Sequence, residues 1–381
     1  MSKVEELLAK YNSNGISTIK LADILDYEQP SKYIVSSSEY DDNYDIPVLT
    51  AGQSFILGYT DEKDGVYKAS KNNPTIIFDD FTTGHHWVDF DFKIKSSAMK
   101  MLRLKNNKSL LRYIFHSMAL INYVPTEHSR QWISKYSQFE IPIPHIKVQE
   151  EIVKILDSFT NLIDALNEEL SLRQKQFEYY REKLLTFDDK SLLKPINEIG
   201  TLFRGNGLQK KDFVDEGVGC IHYGQIYTKL GFSLSKPLTY VTKETAKPLT
   251  KVRKGDLVIA CTSENIEDVC KSVVWEGEEE IVTGGHACVL RHNENPRYIG
   301  YFFQTHQFFM QKKQYAYGAK VIDIKTEKLG EILIPVPSLA IQLSIVEKLD
   351  AFESLISSLK EEIALRQKQY EYYREKLLTF D

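Results

Sequence analysis

The sequence predicts an α+β protein: two globular α/β domains separated by two long antiparallel coiled-coil helices, related by an internal pseudo-two-fold duplication. Three observations carry this. Residues 172–188 read LRQKQFEYYREKLLTFD and residues 365–381 read LRQKQYEYYREKLLTFD, differing only at Phe177 against Tyr370. Each copy ends a long stripe of apolar residues whose spacing alternates between four and three. Each stripe follows a proline-punctuated segment, Ile141-Pro142-Ile143-Pro144 and Ile334-Pro335-Val336-Pro337, offset by the same 193 residues as the repeats. A repeat this long is a duplication.

The stripes give the helices. In the first copy the stripe is Ile152, Leu156, Phe159, Ile163, Leu166, Leu170, Arg173, Phe177, Tyr180 and Leu184. The second runs Ile345, Leu349, Phe352, Ile356, Leu359, Ile363, Arg366, Tyr370, Tyr373 and Leu377. This is a heptad seam interrupted once, by an arginine, at the same place in each copy, and it predicts coiled-coil helices over 147–188 and 338–381. The prolines just before each helix cannot be helical interior and close the preceding domain. About 40 residues at 1.5 Å each make a helix roughly 60 Å long. The connection after the first helix is short, 189–194, so the second domain begins at that helix's far end. A second helix starting there and pairing with the first must run back antiparallel, which predicts a rod with a domain at each end.

The domains occupy 1–146 and 189–337. Short apolar runs bounded by turn residues predict strands at Pro47-Val48-Leu49, Thr75-Ile76-Ile77-Phe78, Asp256-Leu257-Val258-Ile259-Ala260 and Ile281-Val282. Helical candidates are fewer, at 109–123 and 296–312, so a largely antiparallel sheet is expected. The domains begin alike, Lys20-Leu21-Ala22-Asp23-Ile24 against Pro195-Ile196-Asn197-Glu198-Ile199, and differ in their middles. One scaffold carrying two different readers has that pattern.

Composition narrows the class. No apolar run approaches the length of a membrane helix, and the polar, acidic start lacks a signal peptide's apolar core. The four cysteines, Cys220, Cys261, Cys270 and Cys288, have neither disulfide-framework nor CxxC spacing. A cytoplasmic protein with reduced, buried thiols is expected. The net charge of −5 lies entirely in the helices: 147–188 hold 6 basic and 9 acidic residues, and 338–381 hold 6 and 8. The rest of the chain is neutral, which leaves room for a basic face that binds nucleic acid.

Candidate DNA contacts follow from basic side chains set among aromatic and small polar ones, which suit phosphate contact and base-edge readout. In the first domain they are Thr82, Thr83, His85, His86 and Trp87, then Lys93, Lys95, Lys100 and Arg103 within a stretch, 93–112, of seven basic residues and no acidic one. In the second they are Arg204, Lys210 and Lys211, then Tyr223, Gln225, Tyr227 and Lys229, then Lys313, Tyr317 and Lys320. A basic run alone also describes a solvated face. Tyr179, Lys183, Tyr372 and Lys376 lie off the helix stripes and are candidates for docking a partner subunit.

Catalytic motifs are missing. His85-His86 lacks companion ligands at zinc-site spacing, and no metal site is expected. Asp79-Asp80 lacks a companion lysine motif. Arg204-Gly205-Asn206-Gly207 and Gly284-Gly285-His286 are glycine turns without the GK[ST] of a P-loop. Asn72-Asn73-Pro74-Thr75 lacks the second proline and aromatic of an adenine-methyltransferase motif. The chain is therefore expected to be a non-enzyme without a nucleotide or cofactor of its own.

The Ile-Pro-x-Pro segments, Gln149 with Ile152-Val153, Gln342 with Ile345-Val346, and the duplicated LRQKQ(F/Y)EYYREKLL helices resemble the specificity subunits of Type I restriction–modification systems. The likeness covers essentially the whole length. Pro47-Val48-Leu49-Thr50-Ala51-Gly52 and Lys95-Ser96-Ser97-Ala98-Met99-Lys100 also look like pieces of target-recognition domains. The resemblance implies that each domain reads half of a bipartite, asymmetric double-stranded DNA target. It further implies that the helices set the gap and dock two adenine methyltransferase subunits. By the same resemblance S-adenosylmethionine belongs on those subunits, and ATP and Mg on added restriction subunits, with no membrane involved. The competing reading is a coiled-coil scaffold with no specific DNA target.

Overall fold

The computed structural model describes residues 2–50 and 55–380. Ala51 and Gly52 of the Pro47–Gly52 segment lie outside the described residues, as do Met1 and Asp381. The chain forms two compact units, one of 2–167 with 361–380 and the other of Glu168–Lys360. Each unit thus owns one globular domain, the root of the helix that follows it, and the tip of the other helix.

The long helices are Ile146–Leu185 and Leu339–Leu378. Each starts a few residues after its prolines, as the missing N–H and fixed φ of proline require. The stripe is buried at the roots, Ile152 and Leu156 in one unit and Ile345 and Leu349 in the other, with Val148 and Val346 buried beside it. Within the first unit, Phe159 stacks on Tyr373 with centroids 5.3 Å apart, while Leu378, nearer the tip, shares a core with Val148. In the second unit Tyr180 stacks on Phe352 at 5.4 Å, and Leu185 shares a core with Ile345. Inside each unit the two helix segments therefore run antiparallel. The seam arginines are held alike, Arg173 by Glu169 and Gln176, Arg366 by Glu362 and Gln369.

In the first unit a four-stranded antiparallel sheet has the order Leu25–Glu28, Met99–Leu104, Thr75–Asp79, His85–Val88. A three-stranded sheet, Ile56–Thr60, Ile46–Leu49, Lys93–Ile94, stands beside it. The second unit has two five-stranded sheets. One runs Gly200–Arg204, Ala287–His292, Leu257–Ala260, Ser272–Trp275, Ser233–Leu234. The other runs Phe213–Val214, Thr239–Val241, Val218–Ile221, Ile281–Thr283, Thr250–Val252. Most pairings are antiparallel, as expected, with parallel exceptions at Ser233–Leu234, Lys93–Ile94 and between Val218–Ile221 and Ile281–Thr283.

Each domain is closed by its ends. Ser17–Lys20 pairs with Glu140–Ile143, and Leu193–Pro195 pairs with Leu333–Pro335. The Ile-Pro-x-Pro segments thus supply the second strand of a two-stranded closure, a place where a missing proline N–H is tolerated. The shorter helices differ from expectation: 109–123 is trimmed to Leu111–Met118, and 296–312 is replaced by two helices, Pro296–Phe302 and His306–Tyr315, the second running past the expected end. Thr305 caps the third of these through its hydroxyl, which accepts the Phe308 N–H at 3.2 Å and starts a new helix.

Candidate nucleic-acid interface

In the first domain the hairpin of Thr75–Asp79 and His85–Val88 carries the Thr-Thr-Gly-His-His-Trp segment on its turn and outer strand. Asp79 builds the turn: its carboxylate accepts the Phe81 N–H and the Thr82 hydroxyl, and its carbonyl accepts the Thr83 N–H. Thr83 takes the left-handed conformation, φ 62°, and is buried with its hydroxyl on the Thr82 carbonyl. It shapes the turn and is withdrawn from any ligand. Thr82 remains exposed.

The pleat divides the next three residues. His85 and Trp87 pack edge-on against Phe115, at 5.3 and 5.9 Å, on the sheet face that meets the helices. Burial pushes the His85 pKa down to about 4, so the ring is neutral at physiological pH. His86 points to the opposite face, exposed and stacked on Phe55 at 3.9 Å. Arg103 lies on that same face by register, exposed, with its guanidinium 4.9 Å from the Tyr67 ring centroid. Lys95, also exposed, donates to Ser38 Oγ at 2.8 Å.

Two basic residues expected at the DNA surface are internal instead. Lys93 is 3% exposed and is held by Glu62 at 2.8 Å and the Asp64 carbonyl at 2.6 Å. Lys100, 1% exposed, pairs with Asp80 at 3.0 Å, and Asp80 also accepts the Trp132 N–H. Both stand on strands whose inward positions they occupy, and their charges are matched inside the fold. The Asp79-Asp80 pair is thereby accounted for as turn and ion pair. In this domain the open candidates are Thr82, His86, Lys95 and Arg103.

The second domain brings more of its candidates together. Two glycine turns lie backbone to backbone: a Cβ on Gly205 would meet the Gly284 carbonyl oxygen at 2.2 Å, and one on Gly284 would meet Leu208 Cβ at 2.1 Å. Only glycine permits that approach. Around it Lys210, Lys211, His222, Tyr223 and His286 line one concave surface. Tyr223 and His286 rings are 5.0 Å apart, and burial together with the nearby charges of Lys210 and His286 lowers the His222 pKa. His286 is exposed with φ 68°.

Backbone bonds continue this surface sideways. The His286 carbonyl accepts the Cys261 N–H, the Cys261 carbonyl accepts the Ile324 N–H, and the Ile324 carbonyl accepts Arg204 Nη1. Arg204 also pairs with Asp323 at 3.2 Å, beside Tyr317, whose hydroxyl lies 3.3 Å from the same carboxylate. Tyr317 and Lys320 sit on the exposed turn that precedes Ile322–Asp323.

Four other candidates are structural or apart. Gln225 is buried and caps Tyr223–Thr228 by accepting the His222 N–H. The Tyr227 hydroxyl donates to the Thr262 carbonyl, anchoring a loop. Lys229 and Lys313 are exposed but do not line the glycine-turn surface. Sequence reasoning missed His222 and His286 as members of the site. The glycine pair just before His286 was the available signal, since a glycine pair marks close backbone approach.

The four docking candidates are alike in both repeats. Tyr179 and Tyr372 are each 58% exposed, with Lys183 Nζ 5.6 Å from one ring centroid and Lys376 Nζ 5.9 Å from the other. Exposed aromatics beside a cation, repeated twice, form the same small surface on both helix tips. Among the described residues no group of three or more His, Cys, Asp or Glu is placed to hold a metal ion, and no helix is long and apolar enough to cross a membrane.

Comparison with known proteins agrees with the duplication. Residues 14–172 and 193–365 each match the family described as Type I restriction modification DNA specificity domain. The chain is 39% identical to the Type I restriction enzyme EcoR124I/EcoR124II specificity subunit of Escherichia coli, covering 100% of this chain and 97% of that protein. It is 29% identical to a putative type I restriction enzyme specificity subunit, S.HindORF215P, of Haemophilus influenzae, over 86% of each. In fold it is similar to the Type-I restriction-modification system S subunit from M. genitalium, with a TM-score of 0.59 at 14% identity over 96% of this chain and 97% of that one.

Proposed function

Since the chain belongs to the family of Type I restriction–modification DNA specificity subunits, with two copies of the family's domain, we propose that it reads a bipartite, asymmetric double-stranded DNA target, one half-site per domain. The glycine-turn surface of the second domain and the His86–Arg103 face of the first are the reading surfaces. On the second, Lys210, Lys211 and Arg204 supply phosphate contacts, while Tyr223, His286 and Tyr317 stand among them within reach of base edges. On the first, Arg103 and Lys95 take the phosphate role and Thr82 and His86 the polar one.

The observation that carries this reading is the duplicated domain-plus-helix organisation, with the same exposed tyrosine–lysine pair on each helix tip. Two equal surfaces call for two equal partners, and we assign them to two adenine methyltransferase subunits. The long helices then set the untouched gap between half-sites, since half-sites about 34 Å apart put two domains on one side of a duplex. S-adenosylmethionine is assigned to the methyltransferase partners, ATP and Mg to restriction subunits that join them. The subunit itself supplies sequence choice.

The test is deletion of the gene in its native host, with N6-methyladenine mapped genome-wide by single-molecule sequencing before and after. Loss of one split motif, methylated on both strands, is the expected result and gives both half-sites and the gap. An unchanged methylation map in a host that expresses this chain and a methyltransferase partner would sink the proposal.

A further inference from the structure

Phe177 and Tyr370, the single difference between the repeats, fall where each helix tip meets a domain. In the first unit Tyr370 is buried with its hydroxyl 3.0 Å from His116 Nδ1. His116 Nε2 lies 2.9 Å from Asp157 Oδ1, which Arg112 Nε also reaches at 2.7 Å. Burial pushes the Asp157 carboxyl up, but the hydrogen bonds from His116 and Arg112 outweigh it and hold the group below the usual carboxylate range. An ionised carboxylate only accepts, so Nε2 carries the imidazole proton and Nδ1 accepts from the tyrosine. The chain of donors runs Tyr370 to His116 to Asp157.

The second unit solves the same joint differently. Asp350 stands where Asp157 stands in the repeat, and Arg297 Nε reaches it at 2.9 Å. One turn after that arginine, in place of histidine, comes Tyr301, whose hydroxyl donates straight to Asp350 Oδ1 at 2.6 Å. The carboxylate needs no relay. The helix-tip residue beside the Tyr301 ring is Phe177, with centroids 6.2 Å apart and its distance to the Phe352 centroid 6.4 Å.

Each tip is therefore complete only on its own domain. A phenylalanine at 370 leaves His116 Nδ1, on a residue 0% exposed, with no donor. A tyrosine at 177 brings a hydroxyl to a half-buried place near Tyr301 and Phe352, where the Asp350 carboxylate already has its donors. Nothing else within the seventeen-residue repeats distinguishes the tips. We propose that Tyr370 with His116, and Phe177 with Tyr301, are two exclusive locks by which each domain selects its own helix tip. The tip that the first domain accepts is the one bearing tyrosine at this position, that of its own chain.

The test uses the full chain and two readouts, the thermal unfolding midpoint and the hydrogen bond at His116 Nδ1, read from its imidazole 15N shift. Y370F is expected to lower the midpoint by about 2–6 °C and to change the Nδ1 shift. Adding H116Y to Y370F transplants the other unit's lock and recovers most of the loss. F177Y lowers the midpoint as well, and adding Y301H recovers it. The proposal is overturned by a Y370F midpoint within a degree of the parent, by an unaltered Nδ1 shift, or by second substitutions that add to the loss instead of reversing it.

Discussion

Gln149 and Gln342, both fully buried, hold the roots of the two long helices by the same bonds. Gln149 Oε1 accepts the backbone N–H of Leu110, the residue that starts Leu111–Met118, at 3.0 Å, and its Nε2 donates to the Pro144 carbonyl at 2.8 Å. Gln342 Oε1 accepts the N–H of Asn295, the cap of Pro296–Phe302, at 2.9 Å, and its Nε2 donates to the Pro337 carbonyl at 2.9 Å. A tyrosine completes each root, Tyr113 on the Pro142 carbonyl and Tyr298 on the Pro335 carbonyl, both at 2.9 Å. One glutamine thus ties the helix, the proline segment and a domain helix together.

Replacing either glutamine by leucine strands a buried N–H and a buried carbonyl, and each such group costs about 1–3 kcal/mol. Q149L and Q342L are each expected to lose on the order of 3 kcal/mol of unfolding free energy. Chemical denaturation of the two variants checks this. Midpoints equal to the parent's would show that water or neighbouring groups replace the amide.

Stability of the first unit should fall on mild acidification. Burial holds the pKa of His85 at about 4, and burial also lowers that of His116 despite its bond to Asp157. The unfolded chain takes up these protons near pH 6.5 and the folded one only further down, so the unfolded state binds more protons in between. Stability is therefore full above about pH 6.5 and is lost as pH falls towards 4, by up to about 1.4 kcal/mol per pH unit for each histidine. His85→Gln should flatten the decline in melting temperature between pH 6.5 and 4.5. An unchanged slope would show that His85 is protonated at no cost in the folded state.

Surface and interior lysines should separate cleanly. K210A with K211A is expected to leave the melting temperature unaltered while weakening DNA binding by the assembled enzyme and lowering its salt slope by about 2, roughly one per phosphate contact. Lys100→Met, by contrast, abandons Asp80 in the core and should cost about 3–5 kcal/mol of stability. Fluorescence anisotropy against salt concentration, run beside thermal melts, distinguishes the two behaviours. A stable Lys100→Met protein with impaired DNA binding would return that residue to the interface.

The division between what was legible in the sequence and what was not follows periodicity. The long helices, their prolines and the duplicated ends are local patterns with a repeat, and they stand where the spacing predicts. A run of basic residues carries no such label. Along 93–103 the chain passes through two strands, and the pleat sends Lys93 and Lys100 inward to Glu62 and Asp80 while Arg103 stays out. The same alternation sends His85 and Trp87 to one face and His86 to the other. The glycine-turn surface is assembled from segments some 80 residues apart, so only the fold reveals that Lys210 and His286 share it.

Docking of partners through the tips is tested by reversing charge at both. Lys183 and Lys376 are exposed, each near the ring of its own helix's tyrosine, so K183E with K376E should cost little stability, within about 0.5 kcal/mol. Co-purification of the methyltransferase subunit is expected to fall to a small fraction of the parent's. Undiminished co-purification would place the docking surface elsewhere.

The proposed ruler role of the helices makes the most specific prediction. Four residues inserted after Leu170 and four after Ile363, equivalent points of the two copies, lengthen each helix by about 6 Å and turn it by little more than one revolution. Every side chain that contacts a domain keeps its surroundings, because both insertions fall away from the roots and from the joints at Phe177 and Tyr370. The half-sites should therefore be read unchanged. The gap between them should widen, by no more than about two base pairs at a rise of roughly 3.4 Å each. Methylation mapping in cells that carry the lengthened gene reports both quantities at once. An unaltered gap, with the motif still methylated, would remove the helices from the setting of the spacer and leave that task to the partner subunits.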